Sequence, residues 1–283
     1  MPLSSSSAQH AANVLAARLR KVRTDAGMTG RDLAELAGWH PSKVSRIENA
    51  RRTPSTADIR VWCGRCGVPD QAGDLVASLE AIEGMFVEWK EMERTGLKAA
   101  QESVIPTWER TRHFRIYSSH LIPGPLQIAT YIEALLTSLM HRRGLPDDIE
   151  EAVQVRVDKQ HIIHDGGRRI AVILEESVLR QPIGGVDIMA AQLGHLLSMS
   201  ILPSISLGII PLGADRSTIW PTEGFFMFDE AEVTVELVSG HLTITRPHEI
   251  GMYADVFMRL ANLAVYGKAA RALITAAVAA LDE

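Results

Sequence analysis

Between residues 9 and 66, apolar residues recur every three or four positions in four short blocks, separated by Gly, Pro and small polar residues. That period belongs to amphipathic helices, which bury one face and leave the other in water. The first block predicts a helix from Gln9 to Ala26, with Val14, Leu15, Leu19 and Val22 as its stripe and Gly27 as the residue that ends it. Thr29 then reads as the N-cap of a second helix, with Asp32 three residues on in a variant of the capping box. Leu33, Leu36 and Ala37 are its expected buried face, and Gly38 supplies the next turn. Pro41, after His40, opens a third helix at the position where a missing N–H costs nothing. Val44 and Ile47 face inward there, and Asn49 with Arg51-Arg52-Thr53-Pro54 closes it. A fourth helix is expected from about Ser55 to Cys66, buried through Ile59, Trp62 and Cys63.

From Gln71 to Ala100 the period stays helical, with Leu75, Leu79, Ile82, Phe86 and Trp89 in one stripe. This helix, or helix pair, links the N-terminal and C-terminal parts of the chain; it either packs on its own domain or serves dimerisation. Beyond Val104 the texture becomes α+β. Phe114–Tyr117 alternates like a strand, Ile122-Pro123-Gly124-Pro125 reads as a turn, and Leu126–Met140 and Ile149–His164 read as helices. A short strand at Ile170–Leu174 precedes a helix at Val186–Met199. Ser206–Ile210, Phe225–Phe228, Glu232–Val238 and Leu242–Thr245 suggest an antiparallel set, with Ser239-Gly240 as a hairpin turn. Helices at His248–Val265 and Lys268–Leu281 finish the chain. The expected plan is a flexible arm (1–10), a mainly α domain (11–70), a helical linker (71–104) and an α+β domain with a small antiparallel sheet (105–283).

Composition adds limits. A chain of 283 residues with 46% apolar content suits about two globular domains. No apolar run approaches the ~18 to 20 residues of a membrane span. The start, Met1-Pro2-Leu3 and four serines, lacks the basic and apolar regions of a signal peptide and reads as an arm. Two cysteines make no disulfide framework, so the expected compartment is a reducing cytoplasm. The net charge of −5 hides an asymmetry: residues 1–66 carry eleven Lys/Arg against five Asp/Glu, and the remainder eighteen against twenty-nine. The basic part can neutralise phosphates, which the acidic part would repel.

Two short helices joined through a glycine turn, the second rich in small polar and basic residues, fit the DNA major groove. The ordered residues are Arg18-Leu19-Arg20, Ala26-Gly27-Met28-Thr29, Leu33-Ala34-Glu35-Leu36-Ala37-Gly38 and Val44-Ser45-Arg46-Ile47-Glu48-Asn49. Over residues ~12–66 the chain resembles the Xre, or Cro/repressor, family of helix-turn-helix regulators. The resemblance implies a double-stranded DNA operator bound by a homodimer at the nucleoid. It puts Pro41, Ser42 and Ser45 on the groove-facing side, with Lys43 and Arg46 reaching a base edge or a phosphate. A Lys or Arg aimed at guanine contributes roughly 1–3 kcal/mol of discrimination. Arg51 and Arg52 read as phosphate contacts that fix register. Gly30 comes after the Thr29 cap where this family usually has glutamine, a backbone contact that Arg31 is expected to replace. Glu48 is expected to make a structural ion pair with a basic neighbour.

Other signals point to packing. Cys63-Gly64-Arg65-Cys66 has metal or redox spacing but no second pair, and it falls where a helix needs small apolar residues. His161 and His164 suit a helix C-terminus. Adjacent Glu175 and Glu176 point in different directions, a poor acid/base couple. No cofactor motif and no nucleophile–base pair appears, so neither cofactor nor enzymatic activity is expected.

A second resemblance covers most of residues 105–265. It rests on Trp108-Glu109, Ser119-His120-Leu121-Ile122-Pro123-Gly124-Pro125-Leu126-Gln127 and Tyr131, then on Arg156, Lys159 and Gln160. Leu174 to Gly184, Gln192-Leu193 and the Ile209-Ile210-Pro211 strand end continue it. This stretch resembles the antitoxin-like, WhiJ-like domain found behind Xre modules in actinobacteria; Pro125 and Lys159 stand where leucine and arginine are commoner. The resemblance implies regulation, through the C-terminal domain, by a small partner protein encoded beside the regulator, with a small-molecule ligand as the alternative. Pro123, Gly124, Gln127, Arg156, Gln160, Glu175 and Arg180 are the polar residues expected to converge on that site. The other reading makes Arg156, Glu175 and Arg180 a buried ion-pair network.

Overall fold

The computed structural model describes residues 6–84 and 86–281, in two units that divide between Val87 and Glu88. The first unit is helical: α1 (Ser6–Asp25), α2 (Gly30–Ala37), α3 (Pro41–Glu48), α4 (Thr56–Arg65) and α5 (Ala72–Gly84). Residues 1–5 of the expected arm lie outside the described residues, and α1 already begins at Ser6. Leu15, Leu19, Leu33, Val44, Ile47, Ile59, Trp62 and Cys63 form one core with Leu75, Leu79 and Ile82 of α5. Two expected core residues are on the surface instead: Val14 is 46% exposed and Leu36 49%. Ala16 and Ala34 take the buried places, because short helices crossing closely need small side chains at the contact.

The helix, or helix pair, expected from Gln71 to Ala100 is interrupted, and its first part ends at Gly84. Glycine is a poor helix former, and Phe86-Val87 after it prefer a strand, here β1 (Phe86–Glu88) at the division between the units. The apolar face of α5 is thus used inside the first unit.

The second unit contains α6 (Trp89–Met92), α7 (Leu97–Ser103), α8 (Ile105–Arg110), α9 (Ala129–Arg143), α10 (Ile149–Asp158), α11 (Val186–Met199), α12 (Pro247–Leu263) and α13 (Gly267–Ala279). Its strands are β2 (His113–Ser118), β3 (Arg169–Glu175), β4 (Ile205–Ile210), β5 (Phe225–Phe228), β6 (Glu232–Glu236), β7 (Gly240–Ile244) and β8 (Val265–Tyr266). They lie in the order β7-β6-β5-β2-β3-β4-β8. This α+β unit has a mixed sheet, which corrects the antiparallel grouping read from sequence. β4 runs parallel to β3, with Val172 opposite Leu207, and β3 parallel to β2, with Phe114 opposite Ile170. The chain between β3 and β4 contains α11, a crossover long enough for a parallel return. Only β5, β6 and β7 form the expected antiparallel meander.

The sheet is covered on both faces. Phe114 and Ile116 join Trp108, Leu193 and Leu196 and the α13 residues Ala270 and Ile274 in one cluster. Tyr117, on the opposite face of β2, packs on Phe225, which meets Tyr253 and Phe257 of α12. Ahead of α11, Gly184 holds φ +76, and a Cβ there would lie 2.8 Å from Ala134 Cβ and 2.9 Å from Ile188 Cδ1. Gly184→Ala is therefore expected to destabilise the protein by about 1–3 kcal/mol, from backbone strain and overpacking. Thermal denaturation of this variant checks it.

Candidate nucleic-acid interface

The order of residues from 28 to 52 builds a helix, a tight turn and a second helix. Thr29 caps α2 by accepting from the Asp32 N–H at 3.3 Å, and Asp32 Oδ2 accepts from the Thr29 N–H at 2.7 Å. Those bonds hold the Asp32 carboxyl below its ordinary value. Gly38, at φ 68, ends α2 in the left-handed region that a β-carbon disfavours. The His40 ring accepts from the Ser42 N–H at 3.2 Å, and Pro41 is the first residue of α3. Ala50 ends the segment with φ 50, and the N–H groups of Arg51 and Arg52 both return to Arg46 O, at 2.8 and 3.2 Å. The left-handed alanine stores strain of about 1 kcal/mol. Ala50→Gly is expected to raise stability by roughly 0.5 kcal/mol, after glycine's greater freedom in the unfolded chain is counted, as urea denaturation would read.

The frame beneath α3 is held by charge. Arg23, 8% exposed, donates to both Glu48 carboxylate oxygens, at 2.5 and 2.9 Å, and to Met28 O at 2.6 Å. The bond to Glu48 holds the Arg23 guanidinium more firmly charged than usual. Glu48 thus makes the structural ion pair expected of it, with Arg20 also 3.6 Å away. Trp62, fully buried, donates to Leu19 O at 3.1 Å and lies 6.2 Å from the ring of Trp39.

On that frame the expected contact residues separate. Arg31, Pro41, Ser45, Arg46, Arg51 and Arg52 are exposed, and Ser42 is half-buried. Arg46 lies along α3, donating to Ser42 O and Ser42 Oγ at 3.1 Å each. Thr29 is engaged in its cap. Lys43, expected to reach outward, is held otherwise: its ammonium donates to Asp58 Oδ1 at 2.5 Å and lies 4.1 Å from the Trp39 ring centroid. Burial works against the Asp58 charge, but the bonds from Lys43 and Ser55 outweigh it and keep the carboxyl below its ordinary value. Asp58 is also the third residue of α4 and closes its capping box with Ser55, so it fixes Lys43 and the start of α4 together. The Ser55-x-x-Asp58 spacing carried that signal; Trp39 under the ammonium had none.

The second-unit residues divide as well. Gln160 Nε2 donates to Gly124 O and Gln127 O at 2.7 Å each, Gln127 Nε2 donates to Ile122 O at 2.6 Å, and Arg156 donates to Gln127 Oε1 at 3.2 Å. The turn from Pro123 to Gln127 is therefore laced together with Arg156 and Gln160. Gln192, fully buried, donates to Leu126 O and accepts from the Ile128 N–H, a role with no signal in the local sequence pattern. Glu175 and Arg180 have other partners. Glu175 accepts from the Tyr117 hydroxyl at 2.8 Å and pairs with Arg216, and Arg180 pairs with Glu176 at 2.7 Å. Arg156, Glu175 and Arg180 do not pair with one another, so the ion-pair network does not form.

Residues 14–79 match the family model described as a helix-turn-helix domain, and residues 109–276 match the one described as a domain of unknown function, DUF5753. The second match spans more than half of the chain. The chain belongs to the DUF5753 family. Its first unit is a helix-turn-helix DNA-binding domain of the Xre/Cro-like superfamily. No curated protein matches. A solved structure titled "Structure of TrmBL2, an archaeal chromatin protein, shows a novel mode of DNA binding" is similar at 11% identity and a TM-score of 0.32, covering 81% of this chain and 71% of that one. That likeness is too low to carry an argument.

Burial raises the Cys63 and Cys66 thiols, and among the described residues no group of three or more His, Cys, Asp or Glu is arranged to hold a metal. Neither family description names an enzyme. Among the described residues, no helix is long and apolar enough to cross a membrane.

Proposed function

We propose that this member of the DUF5753 family is a sequence-specific transcriptional repressor that binds a two-fold operator as a dimer. The observation that carries the reading is the outward edge of α3 and its end: Pro41, Ser45 and Arg46 exposed on the helix, with Arg51 and Arg52 just beyond it. Arg46 reads a base edge, Ser42 and Ser45 lie beside it, and Arg51 and Arg52 hold phosphates. Thr29 and Arg31 meet the backbone at the start of α2, a helix N-terminus that favours an anion. Lys43 acts through Asp58 by fixing the angle of α3. The resemblance to the WhiJ-like domain supports the finer part of the reading, in which a small protein encoded beside this one binds the second unit and changes operator affinity.

The test is selection from random duplexes by the full chain, then anisotropy titration with and without that small protein. The reading expects an enriched sequence with two half-sites about one helical turn apart, and an affinity that shifts when the small protein is added. Recovery of no preferred sequence would overturn it. A second reading puts a small molecule in the partner's place, and one feature of the second unit favours it: the cations Arg156 and Lys159.

A further inference from the structure

Withdrawing a cation from water is costly unless an anion accompanies it. The second unit withdraws two, three residues apart on one run of chain: Lys159 is buried and Arg156 half-buried. Neither forms an ion pair among the described residues. Arg156 donates from Nε to Gln101 Oε1 at 2.9 Å and from Nη1 to Gln127 Oε1 at 3.2 Å, both uncharged acceptors. Lys159 is 8% exposed, with its ammonium 4.3 Å from the Trp108 ring centroid. The ring face attracts a cation but accepts no conventional hydrogen bond. Burial first, and Arg156 second, lower Lys159 to about 7; the acid that opposes them is Glu236, an exposed residue beyond ion-pair distance. Trp108 also meets Phe226 at 6.3 Å, so the ring beside the ammonium belongs to an apolar aromatic group.

We propose that Arg156 and Lys159 recognise the carboxylate of a small organic acid with an apolar, aromatic-sized body. A carboxylate supplies an anion within ion-pair distance, which Glu236 does not reach for either cation. The guanidinium fork matches its geometry, and the ammonium adds a point charge. Half-buried Phe226, 6.3 Å from the buried Trp108 ring, then meets the apolar body. This deepens the small-molecule reading of the second unit and does not depend on how the first unit reads DNA. The depth of Lys159 favours a small acid over a side chain presented by a folded partner.

The test is calorimetric titration of the full chain with benzoate, acetate and inorganic phosphate at constant ionic strength. Near pH 8 it is repeated in two buffers of different ionisation enthalpy. Benzoate is expected to bind saturably and more tightly than acetate, with proton uptake near pH 8 as Lys159 becomes charged beside the carboxylate. Lys159→Met is expected to weaken benzoate about tenfold or more, the loss of one charged hydrogen-bonding partner, and to abolish the proton uptake. Arg156→Gln is expected to weaken it similarly. If Arg156→Gln fails to fold, Lys159→Met still decides the matter, because methionine fills the same apolar space. Absence of saturable benzoate binding, or unchanged affinity in Lys159→Met, would overturn the proposal, and phosphate binding more tightly than benzoate would overturn the carboxylate assignment. Operator binding by the same preparation is scored separately, so failure of the regulator reading stays distinguishable from failure of the site.

Discussion

Replacing Glu48 by alanine is expected to destabilise the first unit by about 3–5 kcal/mol, the cost of leaving a buried charge without its partner. Arg23 has no exit to water at 8% exposure, and it uses both Glu48 oxygens. Its remaining bond, to Met28 O, would then be the chief restraint on the guanidinium. The pair joins α1 to the end of α3, so the loss falls on the angle at which α3 is presented. DNA binding should fall with stability even though Glu48 is not among the exposed residues. Glu48→Gln should lose less, since the amide keeps one acceptor. Urea denaturation of the two variants checks the order, and a Glu48→Ala protein within about 1 kcal/mol of wild type would contradict a structural role for a pair this deep.

The corresponding prediction in the second unit concerns Glu175. Glu175→Ala is expected to cost about 3 kcal/mol, because it strands Arg216 and removes the acceptor of the Tyr117 hydroxyl. Arg216 already has one buried nitrogen, Nη1, without a hydrogen-bond partner, so it has little to fall back on. Burial and the bond to Glu175 raise the Tyr117 hydroxyl well above its ordinary value, so it stays a donor across the working pH range. Removing Arg216 together with Glu175 should recover part of the loss, and a double-mutant cycle reads the coupling. Additive losses would show that the pair does not act as a unit.

Local features are the legible ones. Caps and turns are written in residues three or four apart, and Thr29-x-x-Asp32, Gly38 and His40-Pro41 suffice to place the ends of α2 and α3. The partner of Glu48 is foreseeable only as a nearby base, because Arg23 lies 25 residues away. Lys43 misleads for the same reason: at the start of a recognition helix it looks free, and only tertiary folding brings Asp58, 15 residues on, to it. In the second unit, strand positions are legible from apolar runs, but strand direction is not. The near-continuous burial of β4, from Leu207 to Ile210, is what a parallel strand covered on both faces requires, and the same run suits an antiparallel core strand. Arg156 and Glu175 are expected together because both are charged residues in a mixed domain; α10 takes one to glutamines and β3 takes the other to Arg216.

On the proposed reading, α3 reads DNA through Arg46 while Arg51 and Arg52 hold the backbone. The most direct measurement is anisotropy over a salt series, on a selected duplex and on one with a single exchanged base pair, for wild type, Arg46→Ala and Arg51→Ala/Arg52→Ala. Arg46→Ala should lose roughly 10- to 100-fold on the selected duplex and little on the exchanged one, which is the mark of a base contact. The double variant should lose equally on both duplexes and reduce the salt slope by about 1.8, or 0.9 for each phosphate contact. Wild-type affinity and an unchanged base preference in Arg46→Ala, together with an unchanged slope in the double variant, would contradict the account.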